Sequence, residues 1–208
     1  MPDFKFETVA IKAGYNVIAG LDEVGRGCLA GPLVAASVVL PLGTPKWIAE
    51  IDDSKKLSAK SRSKMSDIIK NYATAWSVGV VQAYQVDDLG LTKATELAMK
   101  QSLDSMSESA DYLLIDYVPI QSWGKPFKII KQGDSKSFTI AAASIIAKVY
   151  RDDIMIGMDV RYPQYGFASN KGYGTKKHMD SLSIYGPCDI HRRSFSPVYN
   201  SLKSDVIK

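Results

Sequence analysis

The chain holds only 2 cysteines and 2 histidines in 208 residues, and that scarcity removes several kinds of chemistry at once. Cys28 and Cys188 stand far apart with no Cys-x-x-Cys partner, so neither a disulfide framework nor a zinc site is expected, and both read as reduced thiols. His178 and His191 have no carboxylate or histidine at metal-ligand spacing and are not expected to be ligands. Long apolar runs are missing too. Nothing approaches the ~18 residues of a membrane span, and the opening Met-Pro-Asp-Phe-Lys-Phe-Glu-Thr has no signal-peptide core. The expectation is a cytoplasmic monomer with no membrane partner.

What remains is ordinary for a globular protein, with 46% hydrophobic and 23% charged residues. The chain reads as one domain over 1–208, a sheet-and-helix core to about 160 and a C-terminal substrate-binding extension over about 161–208. The net charge is only +4, yet residues 171–208 hold seven Lys or Arg against three Asp, which accounts for the whole excess. Cations gathered at one end suit a polyanionic partner.

Two adjacent carboxylates, Asp22 and Glu23, sit inside one of the most apolar stretches. Val17, Ile18, Ala19 and Leu21 read as a buried strand, and Leu33–Leu40, opened by Gly31-Pro32, as its hairpin neighbour. Ionised carboxylates at the end of a core strand must be paired, neutralised or bound to a metal. The nearby cation in sequence is Arg26. It stands in Gly25-Arg26-Gly27, where two glycines let the backbone approach a ligand closely. Neighbours on a regular strand face opposite sides, so both acids share one site only if the strand breaks there, and a bend at Gly25 or Gly27 is predicted.

The run Gly20-Leu21-Asp22-Glu23-Val24-Gly25-Arg26-Gly27, followed by Gly31-Pro32-Leu33-Val34-Ala35-Ala36, resembles the opening of bacterial ribonuclease HII, and further matches extend to about residue 200. The resemblance implies an α/β, ribonuclease H-like fold: a central mixed five-stranded sheet flanked by helices, with a helical C-terminal extension.

Further along, Ser58 is placed to cap a helix from Ala59 to about Tyr72, Ala75–Tyr84 reads as a strand and Leu91 to about Met106 as a core-facing helix. Asp111–Asp116 is a short apolar strand ending on a carboxylate, as Leu21-Asp22 does. Where the family has Gly after this Asp, the chain has Tyr117. Phe127–Ile130 is a fifth strand. Gln132-Gly133-Asp134-Ser135 then matches a family Lys-Gly-Asp-Ser pattern, with Gln132 in place of Lys and Lys136 as the alternative phosphate contact. A helix begins near Phe138, and Thr175 caps another to about Tyr185. The resemblance implies that Lys55 touches the nucleic-acid backbone, that Tyr173, between Gly172 and Gly174, reads the ribonucleotide, and that Arg192 and Arg193 face phosphate.

In such a fold Asp22, Glu23, Asp116 and Asp134 converge as catalytic and metal-binding residues. Hard oxygen ligands select Mg²⁺ or Mn²⁺, and two ions roughly 3.5–4 Å apart suit phosphodiester hydrolysis. Asp22 is expected to bridge them and Glu23 to bind one. The implied activity is cleavage of the RNA strand of RNA–DNA hybrids and cutting 5′ to single ribonucleotides embedded in duplex DNA, giving 3′-hydroxyl and 5′-phosphate ends. Backbone groups of Gly25, Arg26 and Gly27, with the Tyr173 hydroxyl, are the candidate sensor of the 2′-hydroxyl that distinguishes RNA. Two alternatives stay open: another ribonuclease H-like metal-dependent nuclease, such as a transposase or resolvase, or a non-catalytic hybrid-binding protein.

Overall fold

In the computed structural model, residues 1–41, 43, 45–117 and 123–204 are described, with side chains through 202. A short helix α1 (Lys5–Lys12) precedes strand β1 (Ile18–Val24), which pairs antiparallel with β2 (Leu33–Val39). Helix α2 (Ala59–Tyr72) leads to β3 (Ala75–Val81), antiparallel to β2. Then come α3 (Ala83–Leu89), α4 (Leu91–Asp104), β4 (Tyr112–Ile115) and β5 (Phe127–Ile129), both of these strands parallel to their neighbours. The long α5 (Phe138–Arg161) follows, and α6 (Phe167–Asn170), α7 (Lys176–Tyr185) and α8 (Ser196–Ser204) complete the described chain. The sheet order is β3-β2-β1-β4-β5, so the mixed five-stranded sheet is as expected.

Helices cover both faces, which is why β2 is buried along its whole length and reads as an unbroken run of small and β-branched residues. Ala19, Leu21, Leu33 and Ala35 pack with Ala94, Ala98 and Met99 of α4 on one side. Val34, Ala36 and Val38 pack with Ala142, Ile145 and Ile146 of α5 on the other. Gly20 sets that second contact: a Cβ there would lie 2.2 Å from the Thr139 carbonyl carbon, so only glycine lets the α5 backbone come so close. The caps expected at Ser58 and Thr175 form, and Ser137 caps α5 in the same way. Ser58, Ser137 and Thr175 each accept a backbone N–H three residues on.

The third strand is shorter than expected. It ends at Val81, and Tyr84 lies in α3, where the Gln85 side chain accepts the Gln82 backbone N–H at 2.9 Å and turns the chain into a helix. Apolar alternation cannot foresee that cap.

Residues from Tyr162 onward pack on the segment joining β1 to β2. Ala30 shares a buried cluster with Met155, Tyr165 and Phe167, and Leu29 shares another with Leu182 and Val198. Two buried arginines tie the joint. Arg151 donates to the carbonyls of Pro32 (2.8 Å), Lys171 (2.8 Å) and Ala30 (3.0 Å), and Arg192 to those of Arg26 (2.9 Å) and Gly31 (3.0 Å).

Candidate active site

The site forms where the parallel pair β1 and β4 ends. Their last paired residues are Leu21 and Ile115, and the Asp116 N–H closes the end on the Leu21 carbonyl at 3.1 Å. Asp22 and Asp116 therefore leave neighbouring strands at the same level, the position at which parallel sheets carry their sites. The turn after β5 brings Asp134 beside them, and its Gly133 N–H donates to Asp116 Oδ1 at 3.0 Å. One carboxylate oxygen from each of Asp22, Asp116 and Asp134 lies within 4.8 Å of the others.

Glu23 lies outside that trio, and the strand does not break. Pairing with β2 continues through Asp22↔Ala36, Glu23↔Ala35 and Val24↔Val34, and the backbone turns only at Gly25, where φ is +94°. Asp22 and Glu23 still line one cavity of about 200 Å³, together with Ser54, Lys55, Asp116, Ser144, Lys148 and Tyr173. No bend is needed, because β4 stops at Ile115 and leaves the far end of β1 open on that edge.

The electrostatics are those of buried acids whose counter-charges, Arg26 beside Glu23 and Lys55 beside Asp134, do not offset the cost of burial. Burial pushes the Asp22 carboxyl well above the usual carboxylate range, and Glu23 and Asp116 add to the shift while Ser144 opposes it. Burial also lifts Glu23 to about 7, although Arg26, 3.6 Å away, pulls it down. Asp116 is raised by burial against the opposing Gly133 amide. Glu23 Oε2 is buried and has no hydrogen-bond partner. An all-oxygen donor set with an orphaned carboxylate oxygen and raised acids fits a hard divalent cation, whose charge stabilises the ionised forms.

Of the other expected residues, Lys55 reaches the site directly, its Nζ 2.7 Å from Asp134 Oδ2. Tyr173 is 40% exposed, with Lys148 and Arg151 over its ring at 5.8 and 5.9 Å. Burial beside the Cys28 thiol pushes its hydroxyl up to about 12, so it stays protonated. The carbonyls of Gly25 and Arg26 are already taken, by the Cys28 N–H and by Arg192. Gly27 borders open space.

Arg192 requires a correction. Its side chain is fully buried and satisfied by carbonyls, so it cannot face phosphate and instead holds the Gly25-Arg26-Gly27 turn in place. Arg193 is exposed, its backbone anchored to Asp87 at 2.7 Å. Lys136, the alternative phosphate contact, donates to the Lys131 carbonyl at 2.7 Å. Neither Arg151 nor the interior place of Arg192 is evident from sequence, since an arginine on a small-residue helix gives no sign of the carbonyls it will meet.

Residues 19–198 match the family model of ribonuclease HII. The chain belongs to the ribonuclease HII family. It is 48% identical over 194 residues to the ribonuclease HII of Chlamydia caviae, covering 93% of this chain and 90% of that one. The crystal structure of the ribonuclease H2 from Pyrococcus horikoshii superposes with a TM-score of 0.80 at 21% identity, covering 93% of this chain and 100% of that one. Bst-RNase HIII in complex with Mn²⁺ gives 0.73 at 16% identity, covering 96% and 73%. The ribonuclease H-like fold is thereby shown, and with the family comes its class of activity. The chain is accordingly a metal-dependent endoribonuclease, a phosphodiester hydrolase. No helix among the described residues is long and apolar enough to cross a membrane.

Proposed function

We propose that the chain cuts the RNA strand of RNA–DNA hybrids and also cuts 5′ to a single ribonucleotide embedded in duplex DNA, leaving 3′-hydroxyl and 5′-phosphate ends. The observation that carries this reading is the gathering of one carboxylate oxygen from each of Asp22, Asp116 and Asp134 within 4.8 Å, beside a cavity that Asp22, Asp116 and Tyr173 line. Acids alone would suit any phosphodiesterase of this fold. A protonated tyrosine hydroxyl beside a glycine-rich turn supplies what a ribose-specific enzyme needs in addition.

Asp22, Asp116 and Asp134 would hold Mg²⁺ or Mn²⁺, with Glu23 contributing from the opposite face of β1. Two such ions held there would supply activation of a water and charge stabilisation for the leaving 3′-oxygen. The chain's own residues do the rest. The Gly133 amide fixes the Asp116 carboxylate, the Asp22 carboxylate is held by the Glu23 N–H at 2.8 Å, and Lys55, Arg193 and the basic C-terminal segment meet the phosphates. The Gly27 backbone and the Tyr173 hydroxyl contact the 2′-hydroxyl.

The decisive experiment is cleavage of a duplex DNA containing one ribonucleotide, with an all-DNA duplex and an RNA–DNA hybrid as controls, in Mg²⁺, Mn²⁺ and EDTA. Cation-dependent cutting 5′ to the ribonucleotide, with the all-DNA duplex intact, is expected. Equal cutting of the all-DNA duplex would assign the site to a general nuclease, and binding without cutting would assign it to a hybrid-binding protein.

A further inference from the structure

The two histidines meet inside the C-terminal part. His178 Nε2 and His191 Nε2 are 3.0 Å apart, both rings buried against Tyr165 and Phe167. Their protons can be placed from their partners. The Cys188 backbone N–H donates to His191 Nδ1 at 3.0 Å, so that nitrogen accepts and the His191 proton sits on Nε2. His191 Nε2–H must then donate to His178 Nε2, which leaves the His178 proton on Nδ1. That nitrogen lies 2.9 Å from the Tyr173 carbonyl, which can only accept. Every ring nitrogen is used, each proton is fixed by its neighbour, and the chain of donors runs from Cys188 to Tyr173.

We propose that His178 and His191 form a proton-ordered relay that positions Tyr173 over the acidic cavity, so that both are positioning residues for ribonucleotide cleavage. This rests on the reading of Tyr173 as the residue that senses the ribose. The relay requires both rings to be neutral, since a second proton on His178 would face the His191 Nε2–H, and one on His191 Nδ1 would face the Cys188 N–H. The surroundings agree with this: among the named partners of the two rings there is no carboxylate to hold an imidazolium, and the Cys188 thiol, 3.1 Å from His191 Nδ1, adds only a neutral neighbour. The Tyr173 segment is also held on its other sides, where Asn170 Oδ1 accepts the Gly172 N–H at 2.7 Å and Arg151 donates to the Lys171 carbonyl at 2.8 Å. The Tyr173 N–H donates to Asn170, the Thr175 N–H donates to the same Tyr173 carbonyl that His178 contacts, and Gly172 packs so closely on Ala30 that a Cβ would lie 2.2 Å from the Ala30 oxygen. Among the described residues, His178 is the one side chain that donates to the reader's own carbonyl.

Two measurements test this on the full chain. Nitrogen NMR of the imidazoles at pH 6.5 should find both rings neutral, His178 protonated on Nδ1 and His191 on Nε2; a charged ring or either opposite tautomer overturns the relay. Steady-state cleavage of duplex DNA with one ribonucleotide then forms a cycle of Tyr173→Ala, His178→Phe and the double substitution. His178→Phe keeps the packed ring but removes the donor, and a misplaced reader is expected to lower kcat/KM about ten- to a hundredfold. In the Tyr173→Ala background the same change should cost less than about twofold, because residues acting through one group are not additive. His178→Asn, which retains a donor at the Nδ1 position, should keep most of the activity. Should the Phe variant fail to fold, His191→Leu, which removes the donor that fixes the His178 proton, enters the same cycle and should show the same non-additivity. An equal loss in both backgrounds, or no loss in either, overturns the relay while leaving Tyr173 as reader. Full activity of Tyr173→Ala alone defeats the reading of Tyr173, and the positioning role falls with it.

Discussion

Lys55 Nζ lies 2.7 Å from Asp134 Oδ2, joining a largely exposed ammonium to a buried carboxylate of the acidic trio. A cation entering the site competes with that ammonium for the same oxygen. An ion pair with one partner in solvent is worth about 1 kcal/mol or less, so Lys55→Met should tighten divalent-cation binding by no more than about fivefold. The same change removes the phosphate contact proposed for Lys55 and should weaken hybrid binding in EDTA. Calorimetric titration with Mn²⁺ checks the first effect and fluorescence anisotropy the second; looser Mn²⁺ binding would mean that Lys55 supports the site instead of competing for it.

Asp116→Asn removes one member of the trio at nearly constant shape. Substitutions in the shell around metal ligands cost about 10- to 100-fold, and loss of a ligand should exceed that, leaving less than about 1% of the cleavage rate. Binding to the hybrid in EDTA should be kept or tightened, since one charge repelling phosphate is gone. Retention of full Mg²⁺-dependent activity would remove Asp116 from the site.

Glu23 gives the metal-free protein a pH signature. Its carboxyl is lifted from an ordinary 4.5 to about 7 by burial, so between those values the folded chain holds a proton that the unfolded chain has released. Stability from this group is therefore full below about 4.5 and is lost as pH rises toward 7, by about 3 kcal/mol at most. Burial of His191, lowered to about 4, gives the opposite slope below 6.5. The effect of Glu23 is thus read as the difference between the parent and Glu23→Gln in urea melts with EDTA. That difference should move in favour of the Gln variant from pH 5 to pH 8 and shrink on adding Mg²⁺. A difference independent of pH would show that Glu23 ionises normally.

Much of this arrangement was legible in the sequence. The apolar strands ending on Asp22 and Asp116 and the capped helices at Ser58 and Thr175 follow from local periodicity and turn chemistry, whereas the mixed five-stranded sheet that places the acids together was implied by the family resemblance. The backbone does turn at Gly25, but the break expected between Asp22 and Glu23 is absent, because local spacing describes a strand without its neighbours. Glu23 reaches the cavity through the early end of β4, a long-range fact. Arg192 was misplaced for a similar reason: a charged residue in a basic segment reads as surface, and only the fold reveals the carbonyls that take it inside. The histidines, read only as unsuited to hold a metal, are hydrogen-bonded to each other, a contact that their 13-residue separation gives no sign of.

Tyr117 stands where the family has Gly, and the structure gives the reason for the family's choice. Its φ is +58°, a left-handed conformation that costs a residue with a Cβ about 1–2 kcal/mol. Its side chain is exposed and does little to offset that strain. Part of the gain from glycine is lost to the greater freedom of the unfolded chain, so Tyr117→Gly should stabilise the protein by about 0.5–1 kcal/mol in urea unfolding. A loss of stability would indicate that the Tyr117 ring makes a contact worth more than its strained backbone.

Arg151 makes the opposite case, a buried charge whose removal should be costly. Its guanidinium joins the carbonyls of Pro32, Lys171 and Ala30, so one side chain of α5 fastens both the segment before β2 and the turn that leads to Tyr173. Arg151→Met fills much of the volume but leaves three carbonyls without their donor, and hydrogen bonds to charged groups are worth about 1.5–3 kcal/mol each. Partial access of water to Lys171 offsets some of this, so a loss of at least about 3 kcal/mol is expected. The β1–β2 pairing lies on the far side of that joint and should survive. Hydrogen exchange should therefore quicken at the amides of Leu29, Ala30 and Tyr173 before those of β2, while Mn²⁺ binding by the acidic trio is reduced only slightly. Uniform loss of protection across the sheet would mean that Arg151 supports the whole core, not the joint between the sheet and the C-terminal helices.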